Sequence, residues 1–215
     1  MTAYDPAMPQ VWRVPLYYEL APKLVLRAPS GGYVVPPAYA DWAGAKLKLH
    51  GVRFERVRAA RPKAEVETFR MKKAALSKEP NEGRTTVSID GAWASDIRDI
   101  PAGSLFVPIH QPRARMAMHL LEPLAPDSLA YWGYFNAHLQ RVEYMEPYVA
   151  EKVALEMLKK DAALKAEFEH RLATDAEFAA SGEKRLDFFY QRHPSYDERY
   201  NLYPIYRVKE PLSER

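Results

Sequence analysis

A chain of 215 residues in which 47% are hydrophobic can bury a core without covalent staples, and its lack of cysteine excludes disulfides, thiolate nucleophiles and cysteine-based zinc or iron–sulfur sites. Its 31 basic and 28 acidic residues are interleaved and leave a net charge of +3, and the basic spots RAARPK (58–63) and RMKK (70–73) are short, so no nucleic-acid partner is expected. The sequence contains no apolar run of about eighteen residues, and its start, MTAYDPAMPQVWRVP, lacks the basic and apolar regions of a signal peptide. It therefore reads as a soluble chain with no membrane partner.

Residues 1–23 form a proline-punctuated entry. Pro6, Pro9, Pro15 and Pro22 forbid a continuous helix, while Val11, Trp12, Val14, Leu16 and Tyr17 call for burial. A segment so apolar yet unable to fold alone is expected to be an extended linker that packs on a missing N-terminal neighbour. Tyr33 to Val35 then read as a short strand. Pro36 and Pro37 suit a first helical turn, Ala38 to Leu49 a helix, and His50-Gly51 its end. With a second strand begun by Val52, Phe54 and Val57, the pattern predicts a βαβ unit with two parallel strands.

From residue 64 to 109 the chain turns β-rich. In TTVSIDGAWASDI, Val87 and Ile89 alternate ahead of Asp90-Gly91, the dipeptide favoured in a tight type I′ turn, so a hairpin is expected there with Trp93 on the return strand. AGSLFVPIH adds a turn and a short strand that Pro108 ends. Beyond it helices dominate. Pro112 opens one; Pro126, Asp127 and Ser128 announce another; Pro147 begins a third, carrying Val149, Val153 and Met157; a fourth uses Leu164, Phe168 and Leu172; a final strand is expected at Tyr203–Val208. The expected fold is thus α+β: a βαβ unit plus antiparallel hairpins over residues 24–111, followed by a helical half, 112–215, packed with it as one domain.

The richest stretch chemically is LAYWGYFNAHLQRVEYMEPY (129–148). His138, Glu143 and Glu146 could do acid–base work if burial and mutual repulsion separated the carboxylate pKa values. The competing reading places Glu146 at a helix start and leaves Glu143 solvated. Tyr131, Trp132, Tyr134, Phe135, Tyr144 and Tyr148 suit a core or an interface as well as a ligand cleft. Arg113 and Arg115, in QPRAR, could clamp a carboxylate. The one His-x-x-Glu pair, HLLE (119–122), has no evident third ligand, and its apolar setting favours a core or surface helix. Neither a nucleophile elbow nor a phosphate loop is present.

Several long phrases occur together in order: YDPAMPQVWRVPLYYE, GGYVVPPAYADWAGAKLKLHGVRFERV, AGSLFVPIHQPRARMAMHLLEPLAPDSLAYWGYFNAHLQRVEYMEPYVAEKVALEML and RHPSYDERYNLYPIYR. Across nearly the whole chain they resemble the C-terminal portion of bacterial zinc carboxypeptidases of the carboxypeptidase A-like superfamily. The resemblance implies that zinc, its H-x-x-E pair, a third His and the catalytic Glu belong to a missing catalytic domain, and that this chain holds no cofactor and no catalytic residue of its own. That N-terminal peptidase domain would be its partner, a peptide with a free C-terminal carboxylate the substrate of the whole, and the periplasm or the exterior its location. Arg113, Arg115, Tyr131, Trp132, Tyr134 and Glu143, with His138, Tyr144 and Glu146 beside them, are then the candidates to face partner or substrate. Two alternatives stay open: a stand-alone enzyme using His138, Glu143 and Glu146, and a non-catalytic module that binds a peptide or cell-wall fragment.

Overall fold

Strand Gly32–Val35 (β1) is buried along its whole length because it lies inside a six-stranded sheet ordered β2 (Glu55–Arg56), β5 (Leu105–Pro108), β1, β6 (Tyr206–Val208), β3 (Arg61–Leu76) and β4 (Val87–Ile100). The computed structural model describes Asp5 and residues 7–212; Pro6, one of the four prolines of the entry segment, lies outside the described residues. Residues 7–31 contain no helix or strand, and their apolar side chains from Met8 to Leu20 are exposed.

After β1, helix Pro37–Leu49 (α1) starts with proline in its first turn. It ends at Gly51, which takes φ +70 while Val52 N–H donates back to the Leu47 carbonyl. Strand Glu55–Arg56 (β2) follows. The expected βαβ unit needs one correction: β1 and β2 point the same way but are not neighbours. Strand Leu105–Pro108 (β5) lies between them, antiparallel to both. Its buried Leu105, Phe106 and Val107 take the central place that the two-residue β2 could not fill.

Strands Arg61–Leu76 (β3) and Val87–Ile100 (β4) form one long antiparallel ribbon. Asp90-Gly91 is not its turn, contrary to the sequence expectation: both residues lie within β4, so Trp93 shares a strand with Val87 and Ile89. The ribbon instead reverses at Asn81–Arg84, where Glu82 and Gly83 have φ +49 and +76 and the flanking residues exchange both backbone hydrogen bonds. Gly91 serves a different purpose. A β-bulge lies opposite it between Met71 and Lys73, and a Cβ there would sit 2.4 Å from the Arg70 carbonyl oxygen and 2.7 Å from the Phe69 ring.

Helix Ala114–Leu121 (α2) fits the expected Pro112 start. The helix expected at residues 126–128 is absent: the chain there runs through turns to a short 3-10 segment, Asn136–Leu139. Its backbone is satisfied in turns, with Ser128 Oγ accepting from Tyr131 N–H and Gly133 at φ +72. Helix Pro147–Lys160 (α3) begins as read from its proline. Helices Ala162–Thr174 (α4), Ala176–Ala180 (α5) and Gly182–Tyr190 (α6) each start at an N-cap, Asp161, Asp175 or Ser181, whose side chain accepts an amide of the first turn. Strand Tyr206–Val208 (β6) closes the sheet between β1 and β3.

The period-two alternation of the strands divides the interior. Tyr33, Val35, Phe69, Leu105 and Val107 join α1, α2, Phe135, Tyr203 and Ile205 in the main core. Val34, Val57, Val66, Ile100, Phe106 and Val208 form a smaller cluster. A third cluster unites α3–α6 through Ala154, Leu164, Phe178, Phe188 and Phe189, with Phe168 packed against it. Because β6 comes from the end of the chain, residues 24–111 and 112–208 share one sheet. Among the described residues no helix is long and apolar enough to cross a membrane.

Candidate functional site

The most strongly built polar constellation lies in the core. Glu122, the residue that ends α2, is fully buried and accepts hydrogen bonds from Tyr33 Oη at 2.6 Å, Trp93 Nε1 at 3.2 Å, Arg207 Nε at 2.8 Å and Arg207 Nη2 at 2.5 Å. Arg207 is itself only 7% exposed, and its guanidinium carbon sits 4.2 Å from the Trp93 ring centre. Burial, and then the neighbouring Glu122 carboxylate, push the Tyr33 hydroxyl far above its ordinary pKa. The cluster joins β1, β4, β6 and the end of α2. Its chemistry is cohesion: a buried bidentate ion pair with its remaining acceptor capacity filled. No local sequence signal marks it, because Glu122 and Arg207 are 85 positions apart. The HLLE pair is accordingly split, with Glu122 in the core and His119 exposed on the surface.

The ring-rich stretch divides at about residue 140. Leu129, Ala130 and Phe135 are buried; Phe135 packs edge-on against Tyr39 and Tyr203, with ring centres 5.4 and 5.2 Å apart. Tyr134 stacks on Trp42 of α1 at 4.8 Å and receives the Arg84 guanidinium 3.6 Å from its ring centre. Tyr131 meets Trp132 edge-on, and Trp132 donates its indole N–H to Asp127. Tyr144 and Tyr148, by contrast, are exposed.

His138 lies where this packing meets the chain after α6. The Tyr39 hydroxyl is 2.5 Å from its Nε2, and Nδ1 makes a long, 3.5 Å contact with the Arg199 carbonyl. The carbonyl can only accept, so this arrangement places the proton on Nδ1 and makes Nε2 the acceptor from Tyr39. Burial lowers the His138 pKa over the opposing pull of the Arg199 carbonyl and the Asp197 carboxylate; burial also raises that of Tyr39. His138, Glu143, Asp197, Arg199 and Tyr200 line one open depression of about 370 Å³. Glu146 is not part of its lining: it is the exposed N-cap of α3, and its carbonyl accepts the Val149 and Ala150 amides. With Nε2 engaged by Tyr39, His138 has no free lone pair to take a substrate proton until that bond opens.

The two arginines of QPRAR diverge, as residues two apart on a helix must. Arg113 is the N-cap of α2 and reaches toward Gly51. Arg115 lines an apolar groove of about 760 Å³ together with Tyr131. One wall of that groove is Lys23, Leu24 and Leu26 from the end of the N-terminal segment; another is Val87 and Ile89 of β4; Met118, His119 and Leu124 come from α2 and the loop after it. Trp132 and Tyr134 face a neighbouring depression of about 410 Å³, and His119 borders both. The nine candidates are thus not brought to one place: Arg115 and Tyr131 share the groove, Trp132 and Tyr134 the depression beside it, His138 and Glu143 a third site, while Arg113 lies toward Gly51 and Tyr144 and Glu146 are exposed.

No family model, curated protein or solved structure matches this chain. Among the described residues no three His, Asp or Glu side chains are grouped as a metal ion would require.

Proposed function

We propose that this chain is an accessory α+β domain of a zinc carboxypeptidase, which buttresses a separate catalytic domain and shapes access to its active site. The observation that carries this reading is the N-terminal segment: Met8, Val11, Trp12, Val14, Leu16, Tyr17, Tyr18, Leu20, Leu24 and Val25 are 44–95% exposed, side by side along a stretch with no helix or strand. A contiguous apolar strip of that extent marks a surface made to be covered. The resemblance of its long phrases to the C-terminal portion of such enzymes names the cover. On this reading zinc, its ligands and the catalytic Glu sit in the partner domain, the whole enzyme removes C-terminal residues from peptides, and it acts in the periplasm or outside the cell.

The reading is tested by the coding sequence immediately upstream and by reconstitution. An upstream segment with an H-x-x-E pair and a distant third His is expected, and adding this chain to it should change its rate or its preference among peptides. Stoichiometric zinc retained by this chain through dialysis, or chelator-sensitive trimming of a peptide by this chain alone, would overturn it. The alternative of a stand-alone acid–base enzyme is less well supported by the geometry, since Glu146 does not line the His138 depression and Nε2 of His138 is engaged.

A further inference from the structure

The groove at Arg115 combines three features. Its floor is apolar, with Ile89, Met118 and Leu124 partly bared. Its rim carries Lys23, Arg115 and His119, and none of the described residues lining it is acidic. Lys23 and Arg115 form no ion pair among the described residues, and both are exposed. The groove is also continuous with the exposed N-terminal strip, because Leu24 and Leu26 at the end of that strip build its wall. Strip and groove therefore meet at Leu24, and a body that covers that end of the strip reaches the groove.

We infer that this groove is the seat of the catalytic partner domain, and that the partner fills it with an apolar segment bearing a carboxylate that meets Arg115 and Lys23. The inference rests on the accessory-domain reading and adds to it the place and chemistry of contact. An apolar segment without an acid would leave both cations desolvated and unpaired, which is costly; an acidic segment without apolar side chains would leave the floor uncovered. The occupant must supply both. Arg115 adds a planar fork suited to bidentate capture of a carboxylate.

The test titrates this chain against the separately produced upstream domain. Arg115→Glu and Met118→Asp are each expected to weaken association about tenfold or more, whereas Lys159→Glu, on exposed α3 outside the groove, should leave it within about twofold. Added salt should weaken the wild-type pair more than the Arg115→Glu pair. All three positions are exposed or partly exposed, and unchanged far-UV circular dichroism and melting midpoint exclude misfolding as the cause. If Arg115→Glu and Met118→Asp bind as the wild type does, the groove is not the seat and the accessory-domain reading survives. If the wild-type chain does not associate at all, that reading falls and the inference with it.

Discussion

Replacing Glu122 by leucine would remove the acceptor for Tyr33, Trp93 and both Arg207 nitrogens in one step. Arg207, only 7% exposed, would then hold a charge with no counter-ion and little water. Breaking a buried pair in this way costs about 3–5 kcal/mol. Arg207→Met, which strands the carboxylate instead, should cost a similar amount. The double replacement strands neither charge, and what remains is the unpaired Tyr33 hydroxyl and Trp93 N–H, together about 2–6 kcal/mol. The double variant should therefore be more stable than Glu122→Leu, which leaves the same two donors unpaired and strands Arg207 as well, with a coupling energy of several kcal/mol. Urea titrations followed by far-UV circular dichroism measure all four corners of the cycle. In a chain of 215 residues a loss of 4 kcal/mol corresponds to a fall in Tm of about 8–16 °C, an independent check. Single variants that each cost less than about 1 kcal/mol, or a double variant that costs their sum, would refute the assignment of this pair as a pin joining β6 to the end of α2.

Gly91→Ala should destabilise by about 1–3 kcal/mol, since its methyl would overlap the Arg70 carbonyl and the Phe69 ring; a neutral result in thermal melts would mean that the bulge moves freely. Glu82→Asn should stabilise by several tenths of a kcal/mol, because asparagine tolerates the left-handed conformation that Glu82 holds at φ +49 beside Gly83, and urea midpoints would reveal it. The lowered His138 pKa has a defined sign. Below the unfolded-state value of about 6.5 the unfolded chain takes up the proton first, so native stability falls as pH drops from there toward the lower native pKa. His138→Gln should flatten that part of the stability–pH curve, and an unchanged slope between neutral and mildly acidic pH would contradict it.

Local signals in the sequence corresponded to local backbone. Pro37 at the start of α1, Gly51 at its left-handed end, Pro147 at the start of α3 and the alternation through Tyr33–Val35 each report what one residue's own dihedrals or faces permit. Asp90-Gly91 misled for the same reason: the dipeptide can turn, but the close approach of Phe69 and Arg70 makes it a strand glycine, while Glu82-Gly83 turns instead. Of the rings in residues 129–139 only Phe135 is buried, and nothing in their order told which would touch α1, which Tyr203, and which a groove.

The sequence by itself determined the types of β1, α1, α3 and α4, the absence of cysteine chemistry and the apolar character of the entry strip, because each is a property of composition or of neighbours along the chain; it announced neither α5 nor α6. Only the tertiary structure decided that β5 enters between β1 and β2, that β6 completes the sheet, that Arg113 and Arg115 part ways, and that Glu122 belongs to Arg207 rather than to His119. The physical reason is that an ionisable side chain carries no mark of its partner: a glutamate reads the same whether solvated or buried, and the groups that satisfy Glu122 come from strands 29 to 89 positions away.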